Sequence, residues 1–192
     1  MELSTRFDEA LVLAARLHAK QMRKGTSIPY IAHLLAVASI VLEQGGSEDE
    51  AIAALLHDAI EDQGGTPTRQ LIRERFGEDV VEIVNGCTDT ESMPKPPWRA
   101  RKEAYIAHLA DAPAPVRLVS AADKLHNARA ILADYRAIGE TLWERFNGGK
   151  EGTLWYYRSL VMVLRNAERT PLVEELERVV SEIEMLAAQN SA

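Results

Sequence analysis

Five histidines occur in the chain, at positions 18, 33, 57, 108 and 126, and His57 keeps unusual company. It is followed at once by Asp58, inside the run Ala54-Leu55-Leu56-His57-Asp58-Ala59-Ile60-Glu61-Asp62. The flanking residues are apolar, so the segment reads as a buried helix. Burying unpaired charge is unfavourable by several kcal/mol, so these titratable groups need partners. A divalent cation is one such partner. Histidine offers a neutral nitrogen and aspartate a hard oxygen, a mix that suits Mn²⁺, Fe²⁺, Zn²⁺ or Mg²⁺. Glu61 follows His57 by four residues and Asp58 by three, which puts it on the same helix face one turn on. Asp62 stands four after Asp58. Two carboxylates so placed need not be ligands; they can position a water and take its proton. The plain alternative is a solvated helix end beside Gly64.

Two residues do not complete a metal site, so other segments must contribute. His33 lies in Pro29-Tyr30-Ile31-Ala32-His33, at the start of an apolar run. Asp123 lies among small and apolar neighbours in Val119-Ser120-Ala121-Ala122-Asp123-Lys124-Leu125, and Asn127 shares its helix face. A set of His33, His57, Asp58 and Asp123 leaves positions open for water and substrate, the mark of a catalytic rather than a structural site. His108 and His126 read as structural, His18 as a packing or supporting residue, and Cys87 as a buried, inert thiol.

These residues have to be carried by helices, because apolar positions recur at three and four almost throughout. The pattern predicts helices over 5–22 (capped by Ser4 or Thr5), 31–43, from Ser47 to about Asp62, from Thr66 or Thr68 to Phe76, and over about 78–87. Ser47 with Glu50 forms a capping-box signature. Thr88 to Pro97 holds three prolines and reads as an irregular segment, a candidate lid over a site. Helix resumes over 98–110, breaks from Asp111 to Pro115, runs on to about Arg145, and closes with segments over about 152–167 and 171–188. No segment alternates as a strand does. The expectation is an all-α bundle of about seven to nine helices.

Composition narrows the class. The chain has 192 residues, enough for one core of ordinary size, and is 46% hydrophobic and 27% charged, which suits a globular fold. A formal charge of −7 argues against a nucleic-acid or anionic-membrane binder. No apolar run reaches the roughly 18 residues of a membrane helix, and the N-terminus lacks a signal pattern. The lone Cys87 excludes an intrachain disulfide and suggests a reducing, cytoplasmic setting.

The distant His, tandem His-Asp and distant Asp resemble the HD superfamily of metal-dependent phosphohydrolases. Five blocks narrow this further: Gln21-Met22-Arg23-Lys24; Pro29 to His33; Leu55 to Asp62; Phe76-Gly77-Glu78-Asp79-Val80; and Ala122-Asp123-Lys124-Leu125-His126-Asn127-Ala128-Arg129. In this order they resemble the hydrolase domain of RelA/SpoT-type enzymes, which degrade the alarmone (p)ppGpp. The length leaves no room for synthetase and regulatory domains, so the likeness is to stand-alone small alarmone hydrolases. It implies one HD hydrolase domain over 1–192, with its metal-site core at about 5–165 and closing helices over about 152–188. It implies Mn²⁺, or another divalent ion, at His33, His57, Asp58 and Asp123, with Glu61 and Asp62 serving the attacking water. It places Arg23 near the guanine base and Asn127 near the nucleoside. Two departures are visible. Leu34 follows His33 where related sequences often have proline, and Gln63 follows Glu61-Asp62 where they usually have threonine; neither removes a ligand.

The reaction so implied is hydrolysis of the 3′-diphosphate of (p)ppGpp to GDP or GTP and pyrophosphate. It needs cations for the phosphates, and Arg23, Lys24, Lys124, Arg129 and Lys150 are candidates, each otherwise a solvated surface charge. Trp155-Tyr156-Tyr157 could stack a base or belong to the core. At helical spacing Tyr156 and Tyr157 cannot both face inward, which sends one, Tyr157, to the pocket. Two other readings stay open. One is action on (p)ppApp or on the 2′-phosphate of NADPH; the other is a non-catalytic HD binding module.

Overall fold

The computed structural model describes residues 2–90 and 94–189. They form α1 (Thr5–Leu17), α2 (Ile31–Glu43), α3 (Glu48–Leu56), α4 (Ala59–Asp62), α5 (Thr66–Phe76), α6 (Glu78–Cys87), α7 (Trp98–Asp111), α8 (Ala114–Ile138), a 3₁₀ helix η1 (Gly139–Arg145), α9 (Gly149–Ala167) and α10 (Pro171–Gln189). With α3 and α4 counted as one interrupted helix, the described residues hold nine α-helices, the all-α class expected. Strand pairing among them is confined to an isolated bridge between Met22 and Pro29.

Two compact units emerge. The first comprises Met1–Lys95 and Ala112–Ala122, the second Pro96–Asp111 and Asp123–Ala192. In the first, α3 is central: α1, α2 and α6 all pack on it, and Ala51 through Leu56 are buried without a break. Each large side chain buried there contributes about 1.5–3 kcal/mol. Ser47 and Glu50 close the expected capping box at the start of α3, with Ser47 N–H donating to Glu50 Oε2 at 2.6 Å and Glu50 N–H to Ser47 Oγ at 3.3 Å. Gly86 of α6 allows close approach to the start of α8, since a Cβ there would meet Val116 Cγ2 at 2.6 Å. In the second unit, α9 packs against both α7 and α10.

Four expectations about the helices are corrected. α1 ends at Leu17, not 22, because His18 leaves the helical conformation (φ −100°, ψ 16°) and the chain enters the turn that brings Met22 to Pro29. The third helix does not run to Asp62. It breaks at His57-Asp58, where the His57 ring donates to the Ala54 carbonyl that Asp58 N–H would use in a continuous helix. α8 stops at Ile138 because Gly139 takes a left-handed conformation (φ +62°), and the tighter η1 follows. Tyr156 and Tyr157 both face inward, at 7% and 8% exposure. Helix α9 has a helix on more than one side, so neighbours about 100° apart on its surface both find cover.

The irregular segment expected over Thr88–Pro97 is seen in its described parts, 88–90 and 94–97; Glu91, Ser92 and Met93 lie outside the described residues. Cys87 is half-buried rather than buried, with Sγ 3.7 Å from Ser120 Oγ.

Candidate metal centre

The break between α3 and α4 builds the centre. It turns His57 and Asp58 out of the helical register while Leu55, Leu56, Ala59 and Ile60 remain wholly buried around them. His33 enters from the first turn of α2 and is fully buried. His33, His57 and Asp58 each offer a ligand atom, and these atoms lie within 4.8 Å of one another. Asp58 Oδ2 stands 3.1 Å from His57 Nε2 and 3.7 Å from His33 Nε2. The His57 tautomer is set by its other nitrogen. Nδ1 donates to Ala54 O at 2.8 Å, which leaves the Nε2 lone pair on the side of Asp58. Two buried imidazoles and one carboxylate, converging at this range, form a donor set that fits a divalent ion of about 2.0–2.2 Å bond length.

Tyr30, just ahead of α2, donates from its hydroxyl to Asp58 Oδ2 at 2.5 Å. This tyrosine stands in the Pro29–His33 block, and nothing in the sequence around it points to this contact. Nor does the sequence around Gln21 point to its contact, in which the amide nitrogen donates to Asp62 Oδ2 at 2.8 Å.

Glu61 and Asp62 follow on α4, in the same unit. Glu61 is held at both oxygens: Lys95 Nζ lies 2.7 Å from Oε1, and Asp89 N–H donates to Oε2 at 3.3 Å. Lys95 was missed because a lone lysine among prolines carries no periodic signal. Asp62 keeps contact with solvent, yet its carboxyl is pushed above the usual range. Partial burial is the main cause and the charge of Asp58 the next; the Gln21 amide pulls the other way, and Glu61 adds to the rise. Arg23 and Lys24 lie on the turn between Met22 and Pro29, and the Arg23 guanidinium stands 5.8 Å from the Tyr30 ring centre.

The second unit holds the remaining candidates. Asp123 is 6% exposed and engaged at both oxygens, by Lys124 Nζ and by Asn127 Nδ2, the latter at 2.5 Å. Burial works against charge on Lys124, but the Asp123 carboxylate, with Tyr156 and Tyr105, outweighs it and holds the ammonium well above the usual lysine range. Lys150 donates to Glu140 Oε1 and to the Ala187 carbonyl, each at 2.9 Å, a tie between helix ends within this unit. Arg129 pairs with Glu175 at 3.3 Å. Tyr157 packs in this unit's core, edge-on to Tyr156. Three of the four expected ligands thus converge in the first unit, beside the two expected catalytic carboxylates. Asp123, Lys124, Asn127, Lys150 and Tyr157 belong to the second.

A model of the HD domain matches residues 10–152, three quarters of the chain. The chain belongs to the HD-domain family. Among proteins similar to this HD domain is guanosine-3′,5′-bis(diphosphate) 3′-pyrophosphohydrolase MESH1 of Xenopus tropicalis, 41% identical over 124 residues, which are 63% of this chain and 66% of that protein. The protein of the same name from Drosophila melanogaster is 35% identical over 129 residues, 66% of this chain and 69% of its own. The chain therefore spans about two thirds of these curated relatives. A solved structure described as a metazoan ortholog of SpoT that hydrolyzes ppGpp superposes with a TM-score of 0.80 at 27% identity, covering 95% of this chain and 97% of that one.

Proposed function

We propose that this HD domain hydrolyses the 3′-diphosphate of (p)ppGpp to GDP or GTP and pyrophosphate, with a divalent ion, manganese in our reading, held by His33, His57 and Asp58. The observation that carries the reading is the convergence of these three donors in the unit that also presents Glu61 and Asp62. The names of the relatives support it, since each is called a ppGpp 3′-pyrophosphohydrolase. Asp123 is proposed as the fourth ligand on the sequence resemblance, and the whole chain is read as one hydrolase domain acting in the cytoplasm. No helix among the described residues is long and apolar enough to cross a membrane.

When bound, such an ion would supply positive charge to the phosphoryl oxygens and make a neighbouring water more acidic. The protein supplies the rest. The ring of His57, fixed through Ala54, keeps its lone pair aimed at the site, and Tyr30 orients Asp58. Glu61 and Asp62 hold the attacking water and accept its proton. Water attacks the phosphorus attached to the 3′ oxygen, the P–O3′ bond breaks, and the 3′ oxygen takes up a proton as pyrophosphate is released. Arg23 and Lys24 offer the charge and planar stacking surface that a phosphorylated purine nucleoside calls for, and Lys124 and Asn127 are proposed to assist.

The test is to incubate the purified protein with Mn²⁺ and ppGpp and to follow GDP and pyrophosphate. Turnover of ppGpp in preference to ppApp and NADPH is expected. Absence of turnover at full metal occupancy would overturn the reading, and preference for another nucleotide would replace the substrate.

A further inference from the structure

The first unit contains a hydrogen-bonded chain leading into Asp62. His18, where α1 ends, is 2% exposed, and its ring stacks on Tyr30 with centroids 5.2 Å apart. His18 Nδ1 lies 2.6 Å from Gln21 Oε1. The same oxygen accepts from Gln63 Nε2 at 2.5 Å. Gln21 Nε2 then donates to Asp62 Oδ2 at 2.8 Å.

The partners determine which way the Gln21 amide points. A carboxylate only accepts, so the NH₂ faces Asp62. The carbonyl oxygen only accepts, so His18 carries its proton on Nδ1 and Gln63 presents its NH₂. A flipped amide would set oxygen against the Asp62 carboxylate and NH₂ against the Gln63 NH₂. Two donors at one oxygen thus lock the amide in the orientation that Asp62 needs. Asp62 also sits in an acidic corner, with Asp58 and Glu61 nearby, where a carboxylate left to itself would turn toward water. Gln63 has a part in the lock through its amide.

We infer that Gln21 is a positioning residue for Asp62, held in its working orientation by His18 and Gln63. The inference rests on the reading of Asp62 as a carboxylate that serves the attacking water. The experiment compares Gln21→Met, of similar length but unable to hydrogen-bond, with Gln21→Asn, which keeps the amide but falls one methylene short. For each, kcat and KM for ppGpp are measured, Mn²⁺ binding is titrated calorimetrically, and the His18 tautomer is read by ¹⁵N NMR. Both variants should lose roughly 10- to 100-fold in kcat, with KM and Mn²⁺ affinity unchanged. His18 should be Nδ1-protonated in the wild type and lose that preference in Gln21→Met. In an Asp62→Asn background, Gln21→Met should have no further effect.

A wild-type kcat in Gln21→Met, a loss additive to that of Asp62→Asn, or a loss accompanied by weaker Mn²⁺ binding would each overturn the inference. If Asp62→Asn itself turned over like the wild type, the reading of Asp62 would fail instead. The lock would then be judged by NMR alone, and an unchanged His18 tautomer in Gln21→Met would overturn it.

Discussion

The hydroxyl of Tyr30 donates to Asp58 Oδ2 at 2.5 Å, tying the residue that precedes α2 to the one that opens α4. A carboxylate that must present an oxygen to a cation gains from a donor that fixes its rotation. Tyr30→Phe keeps the ring that stacks on His18 and removes only that donor. Mn²⁺ affinity, titrated on the apoprotein, should fall by roughly tenfold or more. Unchanged affinity would mean that Asp58 is oriented by other contacts.

Ligand and base should separate cleanly in kinetics. His57→Ala removes a donor nitrogen from the centre and should abolish both Mn²⁺ binding and turnover. Glu61→Gln leaves the three converging donors intact. It should bind Mn²⁺ as the wild type does and lose most of kcat, on the order of 10²-fold or more. Elemental analysis beside steady-state rates distinguishes the two. A fully active Glu61→Gln would remove Glu61 from the reaction.

The raised carboxyl of Asp62 makes a stability prediction whose sign follows from linkage. A carboxyl whose pKa is higher in the folded than in the unfolded chain favours the fold while protonated. That contribution is present below the unfolded pKa and is lost as pH rises through the folded one. At neutral pH the ionised group therefore works against the fold. Asp62→Asn should melt above the wild type at neutral pH in metal-free buffer, and the gap should close on acidification. The same variant should lose activity, a trade of stability against function common at active sites. A lower melting temperature at neutral pH would contradict this account.

Lys124 and Asp123 are a buried pair, with side-chain exposures of 14% and 8%. Lys124→Met leaves the buried Asp123 carboxylate without its ammonium and should destabilise the protein by about 3–5 kcal/mol. Because the ammonium is held above the usual lysine range, the pair's contribution is whole below the unfolded lysine pKa and declines as pH rises from there through the raised value. Denaturant titrations across the alkaline range should therefore show the wild type weakening as the variant does not.

At Gly86 two effects oppose each other. Alanine is favoured over glycine by up to about 1 kcal/mol inside a helix, and by less at Gly86, the next-to-last residue of α6. Its Cβ, however, would come within 2.6 and 2.8 Å of the two Val116 methyls, and a β-branched side chain has few rotamers in which to retreat. Overpacking of this kind is unfavourable by about 1–3 kcal/mol, so the clash should win. Gly86→Ala should lower the denaturation midpoint. A rise would mean that α6 and the start of α8 can separate freely.

Sequence legibility followed the physics of each element. The ends of α2, α5 and α6 could be read because Gly45, Gly77 and the prolines after Thr88, in that order, interrupt strong periodicity. The Ser47–Glu50 cap was legible because it needs only local spacing. His33, His57 and Asp58 could be named because charge amid apolar residues demands a partner, whatever the fold. Other features depended on tertiary contact. The break at His57-Asp58 comes from a ring-to-carbonyl bond that apolar periodicity does not register. Burial of both Tyr156 and Tyr157 depends on how many helices surround α9. Lys95 and Gln21 acquire meaning only from what they touch, Glu61 and Asp62, at sequence separations of 34 and 41 residues.

The shortness of α4 has one more consequence. It is a single turn of four residues, tied back through Asp62 N–H to Asp58 O, Gln63 N–H to Ala59 O and Gly65 N–H to Ile60 O. A lone turn has little cooperative reserve and opens at a smaller free energy than the long helices around it. Glu61 and Asp62 ride on that turn, whereas His57 is bonded to α3 and His33 sits in α2. On warming, Glu61 and Asp62 should therefore lose their places before His33 and His57 do. Under the proposed function, activity should then fade at a lower temperature than the one at which the fold melts, and cooling should restore it.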